Sequence, residues 1–148
     1  MAHRAIAERF IGSVVQAGAP AVSPDGRLIA FTVARVDMKA NKYRSQVWLT
    51  SADGTIAPHP VTSGKRDGNP TWSPDSSSLA FTSARGDEDG KRKKDVTLHV
   101  LPIAHPGEVR TIAQMPDGVG NARFSPDGRW IAFESRTQDE RYLSLIHI

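Results

Sequence analysis

A nine-residue unit that occurs three times constrains this sequence more than any other feature. Each copy begins with Ser-Pro-Asp and ends with Leu-Ala-Phe or Ile-Ala-Phe. The copies occupy residues 23–31, 73–81 and 125–133, so neighbouring copies are 50 and then 52 residues apart. A fixed period in this range is typical of arrays in which one structural unit is repeated, such as propellers and solenoids.

The residue types of one copy indicate a β-hairpin. Pro24 presets φ for the second position of a β-turn, Asp25 can bond to the local backbone, and Gly26 tolerates a positive φ. The turn is followed by the apolar run 28–31, which is hydrophobic on both faces of a strand. Such a strand needs cover on both faces, and the stacked blades of a propeller supply it. In the second copy Ser76 replaces the glycine, which costs about 1 kcal/mol if φ is positive there.

We therefore predict an all-β fold: a partial β-propeller of about three WD-like blades of four-stranded antiparallel sheet, the last one incomplete, with a short N-terminal helix. The predicted domains are a leading segment at 1–19 and a truncated propeller at 20–148. The blades should span about 20–64, 65–115 and 116–148. The predicted strands are 21–23, 28–35, 46–50 and 59–62 in the first blade, 71–73, 79–84, 96–103 and 109–113 in the second, and 121–125, 130–135 and 142–148 in the third.

The segments between the predicted strands were assigned from their residue patterns. Ile6, Phe10 and Val14 repeat at helical spacing and predict a helix over residues 2–16. The polar segments 36–45 and 85–95 read as hairpin loops. The second of them carries a basic run at 91–94. Because acidic residues stand beside that run, a solvated loop tip is favoured over a nucleic-acid patch.

Composition excludes several classes of protein. The chain has 19 basic and 16 acidic residues, a net charge of +3, which is too small to argue for nucleic acid as a partner. It has no cysteine, so disulfides and cysteine-ligated metals are excluded. No apolar run has the length of a transmembrane helix, and the apolar stretch near the N-terminus is short for a signal peptide. The expectation is a cytoplasmic protein without a membrane partner.

The search for chemical motifs identified no site. The sequence has no Gly-x-Ser-x-Gly nucleophile elbow, no phosphate-binding glycine loop and no His-Glu-x-x-His. Its five histidines are scattered and show no metal-ligand spacing. The recurring Asp25, Asp75 and Asp127 are assigned to the turns. Catalytic residues, cofactor-binding residues and metal ligands are accordingly predicted as none, and the 148 residues by themselves should hydrolyse no peptide.

The repeat resembles that of two known groups of propellers. One is the prolyl oligopeptidase family of serine peptidases, and the other comprises the periplasmic propellers of the Tol system. The stretches 20–26 and 46–49, followed by the Asp53-Gly54 turn, look like the first blade of the acylaminoacyl-peptidase and dipeptidyl-peptidase-like branch of the first group. The stretches 70–75 and 124–128 match its following blades. The resemblance covers about residues 20–135.

The resemblance implies a function for a longer protein. In that family an α/β-hydrolase domain with a Ser-Asp-His triad follows the propeller, and the propeller admits short peptides to the active site. This chain would then be the N-terminal propeller fragment of a serine oligopeptidase that hydrolyses short or N-blocked peptides. Its partners would be the missing hydrolase domain and, through the parent enzyme, the peptide substrate; no cofactor is implied. The alternative is a non-catalytic binding or scaffold propeller of the Tol type.

The fragment interpretation predicts poor stability for the chain alone. One face of strand 28–35, formed either by Leu28, Ala30 and Phe31 or by Ile29 and Val33, should lie near an open flank, as should part of 130–133. Each large side chain left uncovered forfeits roughly 1.5–3 kcal/mol of burial. We expect the chain expressed alone to be aggregated or marginally folded and the complete propeller to be soluble. Size-exclusion chromatography and denaturant unfolding of both chains test this. A monomeric 148-residue chain with one steep transition above about 5 kcal/mol would contradict it.

Overall fold

The computed structural model describes residues 10–84, 96–105 and 107–136, and within them the chain is built almost entirely from antiparallel strands. One helical turn at 10–13 precedes the first strand. The strands are β1 (Val15–Val22), β2 (Leu28–Asp37), β3 (Lys42–Ser51), β4 (His59–Pro60), β5 (Asp67–Trp72), β6 (Ser78–Ala84), β7 (Val96–Pro102), β8 (Arg110–Gln114), β9 (Gly120–Phe124) and β10 (Ile131–Glu134).

Three sheets follow one another along the chain. Strands β1–β4 form a four-stranded sheet in sequence order, β5–β8 form a second one, and β9 pairs with β10. All the strand pairs are antiparallel. The fold is a partial all-β propeller, as the repeat predicted, and the sheets are named blade 1, blade 2 and blade 3. Each Ser-Pro-Asp unit joins the first two strands of its blade.

Two apolar clusters join the blades. Between blades 1 and 2, Ala30 packs with Trp72, Leu79 and Phe81 in a cluster that also includes Val47 and Leu49. Between blades 2 and 3, the cluster consists of Ala80, Leu98, Val100, Val119 and Ala122. Alternate residues of β6 and β7 therefore enter different clusters, because successive side chains of a strand point to opposite faces. Blade 2 is covered on both faces, which explains why its central strands are apolar on both.

Blade 1 has one face packed on blade 2 and one face turned away from it. Ala30 is fully buried, and Leu28 packs against the same cluster. Ile29, Phe31 and Val33 alternate with them and belong to the other face of the sheet. In blade 3, Trp130 is 72% exposed. Of the two sets of β2 residues that the sequence left open, Ile29 and Val33 lie on the face turned away from blade 2. The grouping of Phe31 with Leu28 and Ala30 was wrong, because alternation along the strand puts Phe31 on the same face as Ile29 and Val33. Val33 is nevertheless buried on that face, contrary to the prediction that it would be uncovered.

The start of the chain differs from the prediction of a helix over 2–16. Residues 1–9 lie outside the described part, the helical turn covers 10–13, and β1 begins at Val15, within the segment assigned to the leader. The physical reason is β2, which is ten residues long. The backbone N–H and C=O groups in the second half of β2 form hydrogen bonds with residues that precede the predicted first strand. Val15 pairs with Arg35, and Gln16 pairs with Ala34. These ladder hydrogen bonds outweigh the weak helical pattern around Gly12.

The predicted loop at 36–45 is instead the end of a β-hairpin. β2 runs to Asp37, β3 begins at Lys42, and a tight turn at 38–41 joins them. The Asp37 carboxylate accepts the backbone N–H groups of Lys39 and Ala40, both at 3.1 Å. Asn41 takes a left-handed conformation, φ 48°. An aspartate that accepts hydrogen bonds from its own turn allows a polar segment to close tightly. The prediction of a loop over 36–45 rested on polarity alone and was wrong for this reason.

Other predicted elements are present with shifted ends. The outer strand predicted at 59–62 is only His59–Pro60. The Val61 N–H still donates to the Val47 carbonyl, but the Val47 N–H donates to the Thr62 hydroxyl at 3.0 Å and not to a backbone carbonyl, so the regular ladder ends there. The inner strand predicted at 71–73 begins at Asp67, and those predicted at 121–125 and 130–135 are Gly120–Phe124 and Ile131–Glu134. The predicted loop at 85–95 and strand at 142–148 lie outside the described residues.

Each inner strand contains a bulge at the same position. The register of β1 with β2 shifts between Gly18 and Ala21, and that of β5 with β6 shifts between Gly68 and Thr71. Left-handed residues occur at equivalent positions of all three repeats: Ala19 (φ 49°), Asn69 (φ 53°) and Asn121 (φ 47°). Asparagine tolerates this conformation better than alanine does. The bulge therefore recurs in each blade, although the residue type at this position varies and the sequence gives no sign of it.

Hydrogen bonds from blade 2 to blade 1 join residues 51 positions apart. The Trp72 indole Nε1–H donates to the Ala21 carbonyl at 2.9 Å. The Ser76 hydroxyl accepts the Asp25 N–H at 3.1 Å. The sequence left open whether Ser76 takes a positive φ or a looser turn; in the structure its φ is 60°, like that of Gly26 (φ 72°) and Gly128 (φ 70°) at the equivalent positions. The serine thus offsets its backbone strain with a contact between blades that a glycine has no atom to make.

Substitution of Ser76 should separate these two effects in the full-length protein. Ser76→Gly removes strain of about 1 kcal/mol and a hydrogen bond of similar net value, so stability should change little. Ser76→Ala keeps the strain and loses the hydrogen bond, and it should cost about 1 kcal/mol. Urea unfolding measures both.

Gly26→Ser is the matched control for Ser76. A Cβ at Gly26 meets nothing within 4 Å, so this serine adds strain without the Ser76 contact and should destabilise by about 1 kcal/mol. A Ser76→Gly protein that is clearly more stable than wild type would show that the hydroxyl contributes nothing.

Candidate functional site

The three Ser-Pro-Asp turns are one hydrogen-bonded structure built three times. In each, the serine hydroxyl donates to the aspartate Oδ1, at 2.5 Å from Ser23, 2.6 Å from Ser73 and 2.5 Å from Ser125. The same hydroxyl accepts the N–H five residues later, at 2.9, 2.9 and 3.0 Å. The aspartate also accepts the N–H two residues after itself. The Oδ1 atom of each recurring aspartate thus holds its own turn together.

A fourth turn of the same kind lies where no Ser-Pro-Asp is present. In Ser51-Ala52-Asp53-Gly54-Thr55-Ile56, the Ser51 hydroxyl accepts the Ile56 N–H at 2.8 Å, and Asp53 Oδ1 accepts the Thr55 N–H at 3.0 Å. Gly54 has φ 77°. Serine, aspartate and glycine at these spacings are therefore enough to form the turn, and the proline is an addition to it.

The hydrogen bonds within the turns lower the pKa values of their aspartates. The Thr55 N–H, followed by the Ser51 hydroxyl, lowers the pKa of Asp53 to about 2. The Ser73 hydroxyl and the Ser77 N–H lower the pKa of Asp75 to about 2. The Ser23 hydroxyl lowers the pKa of Asp25, and the Ser125 hydroxyl lowers that of Asp127. These shifts report turn structure, since hydrogen bonds to the charged form favour it.

A groove between the blades is the best candidate for a binding site. It has a volume of about 550 Å³. It lies at the ends of the strands that point away from the Ser-Pro-Asp turns, and blade 1 contributes the start of β1 and the far half of β2. Blade 2 contributes the start of β5 and the end of β6. The polar residues that line it are Gln16, Thr32, Ser45, Arg66, Asp67, Asn69 and Thr82.

Asp67 is the most deeply buried charged residue of this groove, with 2% of its surface exposed. Its Oδ2 accepts the Gly64 N–H at 2.8 Å. Its Oδ1 has no hydrogen-bond partner within the described residues, and neither has the Thr32 hydroxyl, which is also buried in the groove. Two acceptor oxygens from different blades are thus left unsatisfied in one place, which is unusual for buried polar groups.

A second groove, of about 610 Å³, includes residues of blade 1 that face away from blade 2. Its most prominent charged groups already have partners. The Arg35 guanidinium lies over the Trp48 ring, 5.7 Å from its centroid, and Arg44 pairs with Asp37. For this reason we regard the groove at Asp67 as the candidate site.

No sequence motif predicts a site residue, and none includes Asp67. A signal was present in the repeat: Asp67 is equivalent to Ala17 in blade 1 and to Val119 in blade 3, because the same spacing separates each from its Ser-Pro-Asp serine. The equivalent residues in the other two copies are apolar, so the folding of a blade does not require a charge at this position. Comparison of the copies position by position would have exposed it.

Across the residues described, no group of three or more histidine, cysteine, aspartate or glutamate side chains is placed to hold a metal ion. In the same part of the chain, no helix has the length and apolar character needed to cross a membrane.

Comparison with known proteins identifies the fold. No protein-family model and no curated protein matches the sequence. Among solved structures, the chain is similar to acylaminoacyl peptidase from Pyrococcus horikoshii, with a TM-score of 0.66 and 16% identity over 90% of this chain and 19% of that one. It is also similar to the propeller domain of the Trilobed protease from Pyrococcus furiosus, with a TM-score of 0.63 and 18% identity over 82% of this chain and 34% of that one.

A further match is TolB from Acinetobacter baumannii, with a TM-score of 0.59 and 22% identity over 80% of this chain and 26% of that one. The chain spans about a fifth of the length of the acylaminoacyl peptidase. At these identities the matches show the fold alone. They confirm the β-propeller fold inferred from the repeat, a fold that the chain shares with the acylaminoacyl peptidase, the Trilobed protease domain and, as a lesser match, TolB.

Acid should weaken the turns. Because the pKa values of Asp53 and Asp75 fall to about 2 on folding, their stabilisation is complete above the unfolded value, near 4, and is lost as pH falls toward 2. We expect the urea midpoint of the full-length protein to fall across this window, and Asp75→Asn to flatten the fall. Added salt should change it little, since the main causes are hydrogen bonds. An Asp75→Asn protein with the wild-type pH profile would contradict this account.

Proposed function

We propose that this chain is the N-terminal propeller part of a serine oligopeptidase that hydrolyses short or N-blocked peptides. In this proposal the propeller covers the active site of an α/β-hydrolase domain elsewhere in the protein and restricts entry to small substrates. The observation that carries the proposal is the match to acylaminoacyl peptidase, which extends over 90% of this chain and uses only 19% of that protein.

Two features of the sequence and structure support this assignment over other propeller functions. The stretches 20–26, 46–49 and 70–75 resemble the peptidase propellers, and two further matches, the AtxE2 isopeptidase and the Trilobed protease, are peptidases by name. The groove beside Asp67 lies at the end of the blades opposite the repeated turns. A peptide entering from that end would meet side chains that differ between repeats, as a surface that selects substrates requires.

The second candidate is a non-catalytic binding propeller of the Tol type. The match to TolB supports it, at 22% identity. The two functions differ in what accompanies the propeller. A peptidase needs a nucleophile elbow in the same protein, because the serine must be held on a strained turn beside its base, whereas a binding propeller needs none. For the peptidase we propose a cytoplasmic location.

The function is tested with the full-length protein of the source genome. A Gly-x-Ser-x-Gly motif should follow the propeller, and the purified protein should release p-nitroaniline from N-acetyl-alanine p-nitroanilide. Replacement of the elbow serine by alanine should lower kcat by about 10⁴-fold or more. The 148-residue chain should show no turnover above a mock purification.

The size filter has its own control. Short acylated peptides should be cleaved, and denatured casein should not be. Cleavage of both at equal rates would remove the proposed filtering role but leave the peptidase assignment intact. A full-length protein without an elbow and without activity would overturn the assignment and favour the Tol-type alternative.

A further inference from the structure

The carboxylate of Asp67 is buried with half of its hydrogen-bonding capacity unused. Oδ2 accepts one backbone N–H, from Gly64, and Oδ1 accepts none within the described residues. An ionised carboxylate is stable in a protein interior when both oxygens are paired, and an unpaired one carries a large desolvation penalty. Asp67, at 2% exposure, therefore has one buried carboxylate oxygen that no group among the described residues pairs with, and this oxygen is open to an external hydrogen-bond donor.

The backbone is shaped around this carboxylate. A Cβ on Gly64 would overlap both carboxylate oxygens of Asp67, so only glycine allows the chain to pass there. On the other side, a Cβ on Gly68 would lie 3.6 Å from the Thr32 hydroxyl. The glycine at 64 is thus set by the Asp67 carboxylate, whereas at Gly68 a Cβ would make only an ordinary contact with the Thr32 hydroxyl.

Blade construction does not account for an acid at this position. Ala17 and Val119 occupy the equivalent places of the other two repeats, and Val119 is buried in the apolar cluster between blades 2 and 3. The turn aspartates, in contrast, recur because every turn needs one. Among the three repeats, only the second has a charged residue at this position, and that residue is Asp67.

The donors around the groove favour one class of ligand. A divalent metal usually takes several carboxylates or imidazoles, and the described residues provide no such cluster. A single carboxylate oxygen and a hydroxyl can both accept hydrogen bonds from a monovalent cation that carries several N–H donors. A primary ammonium has three such donors. Arg66 also lines the groove, but its side chain is exposed and makes no ion pair with Asp67.

We infer that the groove between blades 1 and 2 binds a primary ammonium group, with Asp67 Oδ1 as its anchor and the Thr32 hydroxyl as a second acceptor. The ammonium can come from the amino terminus of a peptide or from a lysine side chain. The site requires only the propeller, so it holds whether or not the protein is a peptidase.

The binding test uses the full-length protein near neutral pH in a buffer free of amines. Three probes are titrated by calorimetry and by thermal shift: glycinamide carries an α-ammonium, Nα-acetyl-lysine methylamide carries only a side-chain ammonium, and tetramethylammonium has the charge without N–H donors. Both primary ammonium probes should raise Tm in a saturable manner, as ligands of the native state do, and tetramethylammonium should not. The stronger of the two identifies the source of the ammonium.

Two substitutions with opposite expected effects keep the interpretation specific. Asp67→Asn retains the shape but removes the charge, and it should weaken ammonium binding about tenfold or more. Arg66→Gln removes a nearby like charge and should strengthen binding about twofold. Thr32→Val should weaken binding less than Asp67→Asn does, and it serves in its place if that variant fails to fold.

The inference is overturned if neither primary ammonium probe binds the wild-type protein at concentrations up to about 50 mM. It is also overturned if a folded Asp67→Asn variant binds as the wild type does, or if tetramethylammonium binds as well as glycinamide. Because peptidase activity plays no part in these measurements, failure here leaves the proposed function standing, and failure of the activity assay leaves this inference standing.

Discussion

The hydroxyl of one serine per blade is the group on which the rest of the structure depends. In the turns at Ser23, Ser73 and Ser125 it donates to an aspartate and accepts the N–H five residues later. This pair of bonds fixes the reversal of the chain and with it the register of the two strands that follow and precede it. Since a one-residue slip would turn every side chain to the other face, the turn decides which residues enter the core.

The fixed register in turn allows blades to stack. In β6, Leu79 and Phe81 face blade 1 while Ala80 faces blade 3, and both sets are buried. The turns themselves also meet: Ser76 bonds to Asp25 of the preceding blade, and Gly128 lies beside Pro74 of the blade before it. A local motif therefore contributes twice, once by shaping its own hairpin and once by contacting the next copy.

The candidate site is formed by residues that differ between the three repeats. In the turns, the serine hydroxyls and the aspartate Oδ1 atoms form hydrogen bonds that hold the turn, and this accounts for their recurrence. The other ends of the strands carry no such motif, and there the side chains differ between blades. Asp67 is one of them, with one oxygen unsatisfied among the described residues, and it lines the same groove as Thr32 of the neighbouring blade. A repeated scaffold with unrepeated residues at one end separates the demands of folding from those of binding.

The sequence alone determined the fold class and the number and order of the described blades, whereas the left-handed conformation of Ser76 was only one of its open alternatives. These features depend on short-range chemistry, such as a turn closed by its own side chains and strands apolar on both faces. The strand ends, the bulges at Ala19 and Asn69 and the pairing of Val15 were decided by tertiary structure, because a strand extends wherever a partner supplies hydrogen bonds. The groove was decided in the same way: Thr32 and Asp67 are far apart in the chain, and only the stacking of one blade on the next brings them to one surface.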